Sequence, residues 1–143
     1  LLCRAGFRLL SCGDDRMSRV TENWKHKDEW NREGSKHSVV VSRHTNHAGD
    51  EHRWCVYLYI YPGHPRFSQF NPDRGMWDQP SYECHSYVSL FKTHRRGNGD
   101  IGSFQLGWDY NHDGDHRFTE YATADDASSV FWDANKLFDE AAK

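Results

Sequence analysis

Residues 53–61 read Arg53-Trp54-Cys55-Val56-Tyr57-Leu58-Tyr59-Ile60-Tyr61, and the reading of this stretch decides the fold class. Successive side chains on a strand point to opposite faces, so Trp54, Val56, Leu58 and Ile60 share one face. Cys55, Tyr57, Tyr59 and Tyr61 share the other. Both faces are bulky, which predicts a central strand with something covering each side.

Working outward, Val39-Val40-Val41 within residues 37–42 predicts a neighbouring strand, joined to the first by a polar, histidine-rich loop over 43–52. Pro62-Gly63-His64-Pro65 breaks the central strand, and residues 66–81, with Pro72, Gly75 and Pro80, read as a long irregular excursion. Alternation resumes over 84–92, where Cys84, Ser86, Val88 and Leu90 oppose His85, Tyr87 and Phe91. Arg95-Arg96-Gly97-Asn98-Gly99-Asp100 is a turn, and residues 103–109 are a further strand. Asn111-His112-Asp113-Gly114 turns toward a short strand near Arg117–Tyr121. On the N-terminal side, residues 22–33 carry Trp24 and Trp30 and predict a short helix or extended arm ending at Gly34. Thr123 and Asp126 start a C-terminal helix whose Ala127, Val130, Phe131, Ala134, Leu137, Phe138 and Ala141 form one apolar stripe. The fold class is α+β: an antiparallel sheet of four to five strands with the C-terminal helix packed on one face.

The composition fits one domain. The chain has 143 residues, 36% hydrophobic and 15% aromatic, enough bulky material for its own core. No apolar run approaches the roughly 20 residues of a membrane span. A net charge of −3 leaves no basic footprint for nucleic acid. Residues 1–16, apolar with Arg4 and Arg8 interposed, do not form a secretory signal and read as an extension ahead of Met17; residues 17–143 are then the single domain. Cys3, Cys12, Cys55 and Cys84 contain no CxxC pair, which argues against a zinc ribbon and for reduced thiols in a cytoplasm.

Three stretches could carry chemistry. Asp109 to Glu120 matches the calcium-loop pattern D-x-[DN]-x-[DN]-G-x5-E. A strand enters it where a helix should, however, and a hairpin turn accounts for the same letters. A third option is that the turn lends Asp109, His112 and Asp115 to another site. His44-Thr45-Asn46-His47-Ala48-Gly49-Asp50-Glu51-His52 offers imidazoles and carboxylates suited to zinc, nickel or copper, or is simply a solvated loop. The third set is distributed: His64, His85, Asp109, His112 and Asp115 all lie near strand ends, and convergence on one sheet edge would build a site. Such a set can hold a divalent metal such as zinc that activates water, or work as a metal-free acid and base; its members can also serve only turn hydrogen bonds. Tyr57, Tyr59 and Tyr61 form an aromatic face that could stack bases, anchor a protein partner or lie under a second core element, and Arg95 with Arg96 could touch a phosphate or simply mark an exposed hairpin tip. No GxGxxG, Walker loop, GxSxG or HExxH is present.

The order of Tyr61-Pro62-Gly63-His64-Pro65, Cys84-His85-Ser86-Tyr87 and Gly107-Trp108-Asp109-Tyr110-Asn111-His112-Asp113-Gly114-Asp115 resembles a group of small bacteriophage and prophage proteins with no assigned activity. Members of that group run through Pro-Gly-His-Pro, His-Gly-Gly and Gly-Phe-Asp-x-x-His-x-Gly-Asp. The resemblance covers about residues 53–140, and this chain departs from it by lacking the double glycine after His85. It implies a phage-like origin and a shared set of polar positions, not a reaction. Two functions follow as expectations. One is a phage-borne accessory protein in the host cytoplasm that binds a host defence or regulatory protein. The other is a small metal-assisted hydrolase of a phosphoester or nucleotide using His64, His85, Asp109, His112 and Asp115.

Overall fold

The computed structural model describes residues 20–143, so the expectations on residues 1–16, and on Cys3 and Cys12, lie outside the described residues. Six antiparallel strands form one sheet: β1 (Lys25–His26), β2 (Trp30–Glu33), β3 (His37–Thr45), β4 (His52–Ile60), β5 (Leu90–Arg95) and β6 (Ile101–Asp109). Their spatial order is β1-β2-β3-β4-β6-β5. One helix, α1 (Ser128–Ala141), follows them. The architecture is α+β, with one strand more than the sequence reading allowed.

The alternation in residues 53–61 places β4 at the centre, between β3 and β6. Trp54, Val56, Leu58 and Ile60 are at most 1% exposed and meet Val39 and Val41 from β3 and Phe104, Leu106 and Trp108 from β6. Two layers cover this face. The stripe Val130, Phe131, Ala134, Leu137 and Ala141 seats α1 over the β2–β4 side. The excursion between β4 and β5 covers the rest, with Phe67 tilted against Phe104 and Phe70 stacked on Phe91 and Phe104. Truncating one such buried aromatic to alanine costs about 3–5 kcal/mol.

Several local readings need correction. The opposite face of β4 is not covered by a second layer: among the described residues, Tyr57 and Tyr59 stand half-buried on a face that carries no helix or strand. Of the two forms open to the Trp24–Trp30 arm, a short helix or an extended arm, the structure has the extended one, because Lys25–His26 pairs with Trp30–Asn31 as a small hairpin. The histidine-rich loop is shorter than 43–52, since β3 runs to Thr45 and β4 starts at His52. Residues 84–89 are irregular and strand pairing starts at Leu90; the left-handed backbone of Ser86, φ +65°, interrupts the extended run. The segment near Arg117 is a 3-10 helix, His116–Glu120, not a strand, so Asn111–Gly114 is no hairpin connection. Thr123 Oγ1 does accept the Asp126 N–H at 3.1 Å, but this closes a turn ahead of α1, whose first residue is Ser128. No helix among the described residues is long and apolar enough to cross a membrane.

Candidate functional site

β6 delivers Asp109 to the sheet end opposite Cys55, and the chain then leaves the sheet. Gly114, at φ +90°, supplies the left-handed residue that turns it back. Asp115 thereby faces inward at the head of the 3-10 helix, and the Asp115 N–H donates to the His112 carbonyl at 2.9 Å. Phe118, 2% exposed, anchors that helix against Tyr110, ring centroids 4.8 Å apart. The Tyr110 hydroxyl donates to Asp133 of α1 at 2.6 Å, so the wall of the site is tied to the helix.

His85 arrives from the excursion. Its ring stacks on Tyr110 at 4.3 Å and meets the edge of Phe118 at 5.5 Å. Both Asp115 carboxylate oxygens face His85 Nε2, at 3.0 and 2.9 Å. Asp115 Oδ2 also lies 3.0 Å from His112 Nδ1 and accepts the His112 backbone N–H at 2.9 Å. One carboxylate therefore bridges two imidazoles. Burial opposes ionisation of Asp115, but these hydrogen bonds outweigh it and hold the carboxyl below its ordinary range. An ionised carboxylate only accepts, so His85 Nε2 and His112 Nδ1 carry protons toward it. His85 Nδ1 and His112 Nε2 are left as the outward nitrogens, and His112 Nε2 stands 3.7 Å from Asp109 Oδ1.

The side chains of His85 and His112 remain 24% and 17% accessible, against 8% for Asp115, so solvent reaches the imidazoles. Ligand-type atoms of His85, His112 and Asp115 all lie within 4.8 Å of one another. Two imidazoles and a carboxylate suit zinc and its neighbours, and three protein ligands leave a coordination position for water.

Four of the five distributed residues thus converge, with Asp109 at the margin. His64 does not join them. It sits at the far end of β4, 6% exposed, where its Nε2 faces the Ala141 carbonyl at 2.7 Å and its Nδ1 accepts the Arg66 N–H at 3.0 Å. That pattern makes His64 a cap on the last turn of α1. The calcium-loop geometry is absent, because no helix precedes the loop and Asp115 points inward to the histidines. The cluster at 44–52 is a β-hairpin end organised by Asn46 Oδ1, which accepts the N–H groups of Gly49, Asp50 and Glu51. Tyr57 and Tyr59 line the helix-free face, and the Tyr61 hydroxyl pairs with Ser38 Oγ at 2.8 Å. Arg95 and Arg96 are exposed at the β5–β6 hairpin tip, where Arg95 Nη1 donates to the Gly99 carbonyl. Cys55 and Cys84 are free thiols, one buried on the sheet and one in the excursion rather than on a strand.

Sequence reasoning missed the aromatic surroundings of the cluster. Tyr87, the second residue after His85, sets its ring edge-on to His112 at 4.9 Å, and Trp77 stacks beyond it at 6.4 Å. Compared with known proteins, the chain matches no family model, no curated protein and no solved structure.

Proposed function

We propose that this chain is a small metal-assisted hydrolase of a phosphoester or nucleotide, centred on His85, His112 and Asp115. The single observation that carries the reading is the bridging of two accessible imidazoles by one buried carboxylate, from segments thirty residues apart. His85, His112 and Asp115 would hold a divalent ion, and imidazoles bound through the nitrogens that face Asp115 would carry their protons on His85 Nδ1 and His112 Nε2. Asp109 stands beside the latter, the place of a carboxylate that orients a metal-bound histidine. The ion would lower the pKa of a bound water toward neutrality and supply the attacking hydroxide.

The test is elemental analysis of chain prepared without a histidine tag, loaded with zinc or manganese and dialysed. One ion per chain is expected, lost in His85→Ala and Asp115→Asn and kept in His116→Ala, whose side chain is 83% exposed. Hydrolysis of a nitrophenyl phosphodiester should follow the metal content. Sub-stoichiometric metal in the wild type, or full metal in His85→Ala, overturns the reading.

A second reading, a phage-borne accessory protein that binds a host protein in the cytoplasm, rests on different observations. Ser86 adopts φ +65° at the first of the two glycine positions of the phage group, a conformation that glycine reaches without steric penalty. Trp132 is 69% exposed, and tryptophan is enriched among the residues that carry binding energy at protein interfaces. Free Cys55 and Cys84 suit a reducing compartment. A host-lysate pull-down that loses its stable partner in Trp132→Ala supports it; retention of the partner by that variant removes the anchor.

A further inference from the structure

Beside the histidine cluster, the excursion between β4 and β5 borders a half-open cavity of about 210 Å³. Leu106 of β6, Tyr82 and Val88 form its apolar part, and Trp77 and Tyr87 stand at its rim, 77% and 46% exposed. Gln79 fastens the loop that bears Trp77. The Gln79 amide nitrogen faces the carbonyls of Asn71, Arg74 and Gly75 at 2.7, 3.1 and 3.2 Å, and its Oε1 accepts the Asn71 N–H at 2.9 Å. Trp77 is held out to solvent by a buried side chain that is fully used in holding it. Tyr87 is held by a second device. Ser86, a non-glycine residue at φ +65°, turns the chain so that His85 joins Asp115 and Tyr87 faces the rim. Backbone strain of this kind persists where the surroundings impose it, commonly at ligand sites.

We infer that Trp77 and Tyr87 form a stacking platform for a nucleobase, so that the hydrolase proposed above acts on a nucleotide. The inference rests on that reading for its catalytic half. The two rings stack, 29° from parallel with centroids 6.4 Å apart, and so present one joined aromatic surface at the rim. The cavity is smaller than the roughly 300 Å³ at which pockets begin to enclose a whole drug-sized ligand, so it accepts one planar moiety and leaves the rest outside. His112 abuts Tyr87 at 4.9 Å, which brings the sugar and phosphate of a stacked nucleotide toward the histidine cluster. Aromatic side chains stack any base, so the platform selects the class and not the letter.

Calorimetric titration of the full chain with adenosine, guanosine, cytidine and uridine tests the platform without phosphate or metal. Saturable binding of at least one nucleoside is expected, weakened about tenfold by Trp77→Ala and by Tyr87→Leu, in the range measured for single stacking contacts. Both side chains are exposed enough for the variants to fold. His116→Ala, whose side chain is 83% exposed, should bind nucleoside as the wild type does, and titration without metal separates the platform from the metal centre. No binding of any of the four at millimolar concentration, or binding indifferent to Trp77→Ala, overturns the inference. A chain that takes up metal but ignores nucleosides refutes this platform and leaves the metal reading standing. A chain that binds nucleosides but no metal does the reverse.

Discussion

Asp115 turns both carboxylate oxygens to Nε2 of His85, at 3.0 and 2.9 Å, across thirty residues of chain. This pair joins the excursion to the turn after β6, two segments that share no strand pairing. Asp115→Asn removes the charge and converts half of a pure acceptor into a donor. A loss of about 1.5–3 kcal/mol is expected for hydrogen bonds to a buried charged group, read from urea unfolding near neutral pH. His116→Ala, on the exposed side of the same turn, should change the midpoint little.

Gly107 carries the ring of Tyr57. A Cβ at Gly107 would stand 2.4 Å from Tyr57 Cδ1 and 3.0 Å from the Val56 carbonyl. Gly107→Ala should therefore destabilise by about 1–3 kcal/mol, as overpacking does. Adding Tyr57→Ala should restore part of that loss, and a double-mutant cycle in urea measures the coupling. Additive losses would show that the ring is not the obstacle.

His37 makes stability depend on pH. Burial lowers its pKa below 6.5, His64 and Arg32 push the same way, and the hydrogen bond to the Phe138 carbonyl opposes them. With the folded value depressed, the unfolded chain takes up the proton first. The contribution of neutral His37 is complete above the unfolded pKa and is lost as pH falls through the folded one. Unfolding midpoints should drop between pH 8 and pH 5, and by less in His37→Gln, which keeps a donor without titrating. An equal drop in both proteins would assign the effect elsewhere.

Gln79→Leu should unfasten the Trp77 loop. The substitution leaves the Asn71 N–H and three carbonyls without their partner, and a loss of about 1–3 kcal/mol is expected. Limited proteolysis should then cut within residues 71–78 faster than in the wild type. Unchanged cleavage would mean that the loop is held by other contacts.

Much of the fold was legible because it follows from local pattern. Period-two alternation in residues 53–61 and 103–109 marked β4 and β6, and the stripe from Ala127 to Ala141 marked α1. The errors fall where a single backbone angle or a distant contact intervenes. Ser86 at φ +65° breaks an alternation that reads as continuous. Phe118 is drawn onto His85 and Tyr110, so its segment coils into a 3-10 helix instead of extending. Trp77 lies in a stretch with no periodicity at all, and its exposure follows from the hydrogen bonds of Gln79 rather than from its neighbours in sequence.

The candidate site divides along the same line. Residue chemistry and turn residues marked His64, His85, Asp109, His112 and Asp115 as strand-end groups. Strand polarity then sorted them. β4 and β6 are antiparallel, with Cys55 opposite Asp109 and Ile60 opposite Phe104, so the groups that follow the two strands lie at opposite ends of the sheet. His64 therefore caps α1, while Asp109, His112 and Asp115 meet His85 at the other end. Periodicity and turn preference act over a few residues and can be read along a chain. The direction of pairing and the path of the excursion depend on packing between distant residues, and these alone bring two imidazoles onto one carboxylate.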